Sequence, residues 1–529
     1  MLTIDTDLPE LTGDHPGGSG LPGAIDRTGA VITDHRRTRW ILVAMCTALV
    51  AVIASVSGLN VAQQALAADL GASQGQLLWI INGYTLALAA LLLPIGAIGD
   101  RWGRKHVLVG GLGLFVAASV ASAFATTVTM LLATRVAAGV AAAMIMPVTL
   151  SIITSSFPAD ERDRAVGVWA GFAGAGGILG LLASSVVIDH GTWPWVFTLP
   201  VVLAVAALVL TLRVVPHSRE DHAGRFDVGG ALLSFLAIGG LVLGIQEGPE
   251  RGWSAPLTIA GLAVGALAAV GFIAWERRSA RPLLDVSVFR HRAVSAGSLT
   301  LLLVFAVLMG MFLVVVQFLQ AVLGWSALRA SAGLLPMAGI MLPLSALAPL
   351  LARRLGQRTM LVAGSLTVSG GLALLATMGS ASGGYLSVLP GLLITSVGVG
   401  LSMTPSTTAI TGGMPTEAQG VASALNDTVR EFGGALGIAL LGSLASAGYR
   451  HGVARILPMM PKQAADAVNS GIGGAVYVAR QAGPQGGQLL RIARDAFVDG
   501  WTTAMWASAA LMAATAVALV VLAPRHFRP

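Results

Sequence analysis

The sequence predicts an all-α integral membrane protein that crosses the bilayer fourteen times. Of its 529 residues, 55% are hydrophobic and only 11% charged, less than half the charged share of a soluble domain, whose surface must be solvated. Apolar stretches long enough to cross a hydrocarbon layer of about 30 Å recur fourteen times. The arginines and lysines between them fall in alternate connections.

Residues 1–38 are rich in Gly, Pro, Asp and Thr and have no apolar segment near the start. They read as a disordered cytoplasmic tail rather than a signal peptide. Spans are expected near 40–60, 78–98, 107–126, 129–152, 165–188 and 194–213, then 227–246 and 256–275. Six more follow near 294–320, 329–351, 359–378, 386–410, 419–446 and 499–523. This grouping implies an N-terminal six-helix bundle over 39–215, two inserted helices over 226–276, and a C-terminal six-helix bundle over 292–529 with a long external loop at 447–498. The loop mixes Ala, Val and Leu with Arg455, Lys462, Asp466, Arg480, Arg491 and Arg494, a composition that predicts some local helix.

Basic residues follow the even-numbered spans: Arg101, Arg104 and Lys105; Arg162 and Arg164; Arg213, Arg219 and Arg225; Arg277, Arg278, Arg290 and Arg292; Arg353, Arg354 and Arg358; Arg525 and Arg528. The positive-inside rule then places both termini in the cytoplasm. Trp40, Trp193, Trp195, Trp253, Trp275, Trp325 and Trp501 fall near span ends, as an interfacial aromatic belt would. The net charge of +7 is a product of these loops and does not indicate nucleic acid. The single cysteine, Cys46, cannot form an intrachain disulfide and reads as a small packing residue. There is no P-loop and no His/Cys cluster, so neither ATP hydrolysis nor a metal centre is expected. No enzyme activity and no cofactor are expected; the energy source would be an ion gradient, and the working unit a monomer in the bilayer of a bacterial plasma membrane.

An internal repeat is visible. Gly99-Asp100-Arg101-Trp102-Gly103-Arg104-Lys105 is matched by Ala352-Arg353-Arg354-Leu355-Gly356-Gln357-Arg358, each after an even-numbered span. A duplicated six-helix unit with two helices inserted between the copies would produce this placement, and transporters built from repeats hold their substrate near the midplane between them.

The run Gly96-Ala97-Ile98-Gly99-Asp100-Arg101-Trp102-Gly103-Arg104-Lys105 resembles the signature loop of the major facilitator superfamily. Gly96 and Gly103 would let backbones approach closely, and Asp100 could face a helix N-terminus or an arginine, latching one arrangement of the two halves. Fourteen spans are similar to the drug:proton antiporter branch, and in particular to Qac-type (quaternary ammonium) multidrug exporters. Leu78-Trp79-Ile80, Met144 to Ser151, Leu334 to Ala338 and Gly437 to Leu444 carry that likeness. It implies a role in proton coupling for Arg135, which is followed by Gly139 as in the family motif, and a hinge role for Gly176 and Gly180 in span five.

The departures are equally specific. The family acid of span one corresponds to Ser55, that of span two to Asn82, and that of span ten to Met341; the Gly-Pro of span five reads Gly180-Leu181, and a later glycine pair reads Ser184-Ser185. What remains is Asp427, Arg430 and Glu431 in span thirteen, on one helical face by their spacing of three and four. Burial in a low dielectric favours the neutral form of a carboxyl group, which suits a proton carrier. Asp427 is the expected titrating group, tuned by Arg430 and with Glu431 secondary; alternatively the three form a solvated cluster where the helix begins. Ser55, Asn60, Asn82, Tyr84, Trp169, Gln317 and Gln320 are expected to line a substrate cavity at midplane depth. The expected function is proton-driven export of amphipathic or lipophilic small molecules, cationic ones included, by alternating access. A transporter of a neutral or lipid-like metabolite with little proton dependence is the alternative that Ser55 favours, and a non-transporting sensor or scaffold is a third.

Overall fold

The computed structural model describes residues 35–216, 226–415, 418–483 and 486–524. Nearly all of the expected N-terminal tail, together with Arg219, Arg225, Arg525 and Arg528, lies outside the described residues. The helices are α1 (His35–Leu70), α2 (Gln74–Trp102), α3 (Arg104–Ala123), α4 (Val128–Ser156), α5 (Ala159–His190), α6 (Thr198–Val214), α7 (Val228–Arg251) and α8 (Pro256–Glu276). They continue with α9 (Arg292–Gln317), α10 (Ala327–Leu355), α11 (Gln357–Met378), α12 (Leu389–Gly412), α13 (Gln419–Val453), α14 (Lys462–Ser470), α15 (Ile472–Gln481) and α16 (Gly486–Leu522). Fourteen of them, α1 to α13 and α16, are long and apolar enough to cross a membrane.

In the first half, α1 packs on α5 and α6, and α4 on α2 and α3. In the second, α9 packs on α12, α13 and α16, α10 on α12, and α11 on α12 and α16. The inserted α7 and α8 pack on each other, and α7 also lies against α2 and α13. The two halves meet along α5 with α10 and along α2 with α13, and α13 also touches α4.

The sequence repeat appears as a repeated turn. Gly103 between α2 and α3 has φ +100°, and Gly356 between α10 and α11 has φ +84°. Each donates its N–H to the carbonyl four residues back, Gly99 and Ala352. A side chain would be strained at that φ, so glycine stops one helix and starts the next within a single residue. These turns lie at the same end of the molecule as Arg101, Arg353, Arg354 and Arg358, called here the basic end; the opposite is the far end.

The segment 447–498 contains the local helix its composition predicts. α13 runs on to Val453 and α16 already begins at Gly486, leaving α14 and α15 between them. The Tyr449 hydroxyl donates to the Val468 carbonyl at 2.9 Å and ties this cap down. The aromatic belt also needs correction at one position. Trp501 is fully buried, donating Nε1–H to the Leu375 carbonyl at 2.8 Å with its ring 5.0 Å from Phe318. Trp193 is buried with its Nε1–H on Asp69 at 2.7 Å. The Trp501 indole thus satisfies its one donor inside the protein, whereas Trp193 stays at the end of its span.

Candidate functional site: two buried arginines

α13 begins at Gln419, so Asp427 lies about 12 Å and Arg430 about 16 Å along its axis. Asp427 has no exposed surface. The solvated helix-start arrangement is therefore excluded. Arg430 Nη1 donates to Asp427 Oδ1 at 3.2 Å, and the Asn426 amide donates to the same oxygen at 3.3 Å. Arg430 Nη2 reaches the carbonyl of Ala173 on α5 at 3.4 Å, which links the pair to the opposite half. Its guanidinium lies 4.5 Å from the Phe305 ring and 5.3 Å from the Trp169 ring. Trp169 is fixed by donating Nε1–H to Thr149 at 3.1 Å. A cation held between aromatic faces and a carboxylate keeps its charge compensated in a medium that would otherwise expel it. Asp427 Oδ2, Asn426 Oδ1 and Arg430 Nε have no hydrogen-bond partner among the described residues.

The second arginine, Arg135 on α4, is 1% exposed and lies toward the far end. Its Nη1 donates to the Ser55 hydroxyl on α1 at 2.7 Å, and its guanidinium stacks 4.2 Å from the Tyr84 ring on α2. The Tyr84 hydroxyl in turn donates to the Val52 carbonyl at 3.2 Å. Arg135, Ser55 and Tyr84 thus form one constellation, in which a hydroxyl stands where the family places an acid. Glu431, half-buried on α13, is near enough to act electrostatically on both Tyr84 and Arg430. Hydrogen bonds to a charged donor contribute about 1.5–3 kcal/mol, so Ser55→Ala is expected to lower stability by that amount in detergent. An unchanged thermal midpoint would remove Ser55 as the anchor of Arg135.

The signature loop closes the basic end. Asp100 accepts the backbone N–H of Gly420 at 2.8 Å and of Val421 at 3.2 Å, at the N-terminus of α13, and Arg104 at 2.8 Å. A carboxylate on the positive end of a helix is a favourable arrangement. Gly96 makes it possible, because a Cβ there would stand 2.5 Å from the Ala424 Cβ and 2.7 Å from the Gly420 carbonyl. Across the seam, Gly167 and Gly171 of α5 face Ser345 and Leu342 of α10, and Arg353 pairs with Asp163 at 3.6 Å. Lys105 serves its own half, donating to the carbonyls of Leu212 and Val215 at the end of α6. Arg101 is half-buried in the last turn of α2.

The cavity expected around the polar candidates is only partly supported. Ser55, Tyr84 and Trp169 are sealed within the protein, and Asn82 is half-buried on α2. The Asn60 side chain lies outside the described residues. Gln317 and Gln320 are exposed and do not belong to the site. Position 317 is about 37 Å along a helix that starts at Arg292, so it has passed the midplane. Gly176 and Gly180 face α1, at Ile53 and Ala54, within one half rather than across the seam. Sequence reasoning missed Phe305, Thr149 and Gly420; only the glycine at the start of span thirteen carried a signal.

The family model of the Major Facilitator Superfamily matches residues 43–438. The chain belongs to this superfamily. It is a multi-pass membrane transporter and not an enzyme. The transporter is 34% identical over 495 residues to the multidrug efflux pump LfrA of Mycolicibacterium smegmatis, covering 92% of this chain and 97% of that protein. It is 32% identical to the tetracenomycin C resistance and export protein of Streptomyces glaucescens, over 87% of each. The transporter also shares the fold of the proton:xylose symporter XylE, with a TM-score of 0.60 at 15% identity, covering 92% of this chain and 96% of that one.

Proposed function

We propose that the transporter exports amphipathic or lipophilic small molecules, cationic ones included, from the cytoplasm in exchange for protons, with the basic end on the cytoplasmic side. The observation that carries this reading is Asp427: a carboxylate sealed at the seam of the halves, bound through one oxygen to Arg430, with its second oxygen lacking a donor. Arg430 in turn bonds the opposite half at Ala173. Neutralising Asp427 would free Arg430 to change partners, and a change of partner at a contact between halves is what alternating access requires. Relatives named as an efflux pump and an export protein support the direction of transport. Asp100 on the start of α13 would hold the cytoplasmic end shut, and the aromatic and aliphatic lining of the seam suits lipophilic cargo.

The test is transport of a lipophilic cationic dye in proteoliposomes carrying the purified protein, with and without an imposed pH gradient. Dye movement should follow the gradient and collapse with a protonophore. One observation favours a second reading, weak coupling with a neutral or lipid-like substrate: Arg135 meets the hydroxyl of Ser55 where a carboxylate would complete a proton relay. Transport indifferent to the gradient, and faster for a neutral dye than for its charged analogue, would select that reading.

A further inference from the structure

On the flank of the second half, a groove of about 280 Å³ opens between α9 and α13. Phe289, Leu299, Leu302, Val429 and Phe432 supply apolar walls, and Ser298 and Thr428 complete the lining. Both hydroxyl residues are 8% exposed, and neither oxygen has a hydrogen-bond partner among the described residues. Those oxygens lie sealed beneath the groove's surface, so the wall it presents is almost wholly apolar and suits an acyl chain.

Depth and charge specify the ligand further. Ser298 is about 9 Å along α9 and Thr428 about 13 Å along α13, both counted from the basic end, so the groove lies within one leaflet. At its mouth a one-turn segment, Val286–Arg290, carries Phe289 into the lining and leaves Arg290 exposed. Residues 277–292 hold five arginines, Arg277, Arg278, Arg281, Arg290 and Arg292, all exposed, against the single carboxylate of Asp285. That carboxylate is engaged by the Ser287 hydroxyl at 2.8 Å and the Ser287 N–H at 2.9 Å, bonds that hold its acid below the usual range. A cationic amphiphile would be repelled from such a mouth, whereas an anionic headgroup would be drawn to it.

We propose that this groove is a binding site for an anionic phospholipid of the surrounding bilayer, with one acyl chain between α9 and α13 and the phosphate at Arg290. The groove wall from Thr428 to Phe432 is the outer face of the turn whose inner face carries Asp427 and Arg430. A bound chain therefore braces the turn that holds the buried ion pair. The site stands whether or not the transporter is proton-coupled.

The experiment measures lipid retention, not transport. The purified full chain in nanodiscs of phosphatidylcholine with a minor share of phosphatidylglycerol is transferred to the gas phase, and the lipids that stay bound are weighed. Wild type should retain phosphatidylglycerol in preference. Arg290→Gln should reduce that preference about fivefold, the effect of one arginine at a membrane surface, and Arg290→Lys should restore most of it. Leu302→Trp, which fills the groove, should abolish retention of the specific lipid while the variant still migrates as a folded monodisperse species. Equal retention of the neutral lipid by wild type, or a preference unaltered in both Arg290→Gln and Leu302→Trp, would overturn the proposal.

Discussion

Proteoliposomes carrying Asp427→Asn should move substrate only down its own gradient. One proton crossing 100 mV supplies about 2.3 kcal/mol, equivalent to a concentration ratio of about fifty, and the variant should fall from such a ratio to about one. The amide keeps the shape and can still accept from Arg430 and Asn426, as Asp427 does at 3.2 and 3.3 Å. It cannot exchange a proton. Leaving Arg430 without its counter-ion is expected to destabilise the protein as well, since breaking a buried pair costs about 3–5 kcal/mol. The double variant Asp427→Asn/Arg430→Gln controls for this, because it is neutral: it should recover thermal stability without recovering gradient-driven transport. A single variant that still concentrates substrate against a gradient would exclude Asp427 as the proton carrier.

The second large effect concerns closure of the basic end. A Val at Gly96 would drive its Cβ into Ala424 and into the Gly420 carbonyl, both closer than side-chain contacts permit. Overpacking of this kind costs about 1–3 kcal/mol, and here that cost falls on one conformation alone, the one in which α2 and α13 touch. The equilibrium between the halves should therefore shift about 5- to 150-fold toward the arrangement open at the basic end. The sole cysteine, Cys46, is buried and can be replaced by serine, which leaves a clean background for spin labels at Arg164 of α5 and Arg354 of α10. Pulsed dipolar measurements should give a distance longer by several ångströms in Gly96→Val than in the parent. Asp100→Asn should shift it in the same direction by less, because the amide oxygen still accepts from Gly420. An identical distance distribution in Gly96→Val and parent would mean that this crossing does not control closure.

The residues differ in how legible they were. Gly103 and Gly356 were legible as matched members of a repeated loop, with Gly103 read as a point of close backbone approach; the positive φ between two helices that dictates both came only from the structure. The spans were readable because crossing about 30 Å of hydrocarbon constrains composition over a whole helix. Asp427, Arg430 and Glu431 stood out because charges inside a span are costly and therefore rare. Gln317 and Gln320 were misplaced for the converse reason: in a chain this apolar any polar side chain draws attention, and composition does not report how deep in the helix a residue lies. Gly176 and Gly180 matched a motif, yet the rotation of α5 turns them toward α1 and presents Gly167 and Gly171 to α10 instead.

The sequence alone determined that the chain is a fourteen-span membrane protein with a repeated loop, since hydrophobic length and charge rarity are local constraints that leave local marks, and its signature motif carried the likeness to a transporter family. Only the tertiary structure decided which half each buried charge answers to: Asp100 on the N-terminus of α13, Arg430 on the Ala173 carbonyl, Arg135 on Ser55 and Tyr84. Those pairings join residues separated by 51 to more than 300 positions. Helix rotation and crossing set them, and these follow from packing summed over the whole bundle rather than from any segment of it.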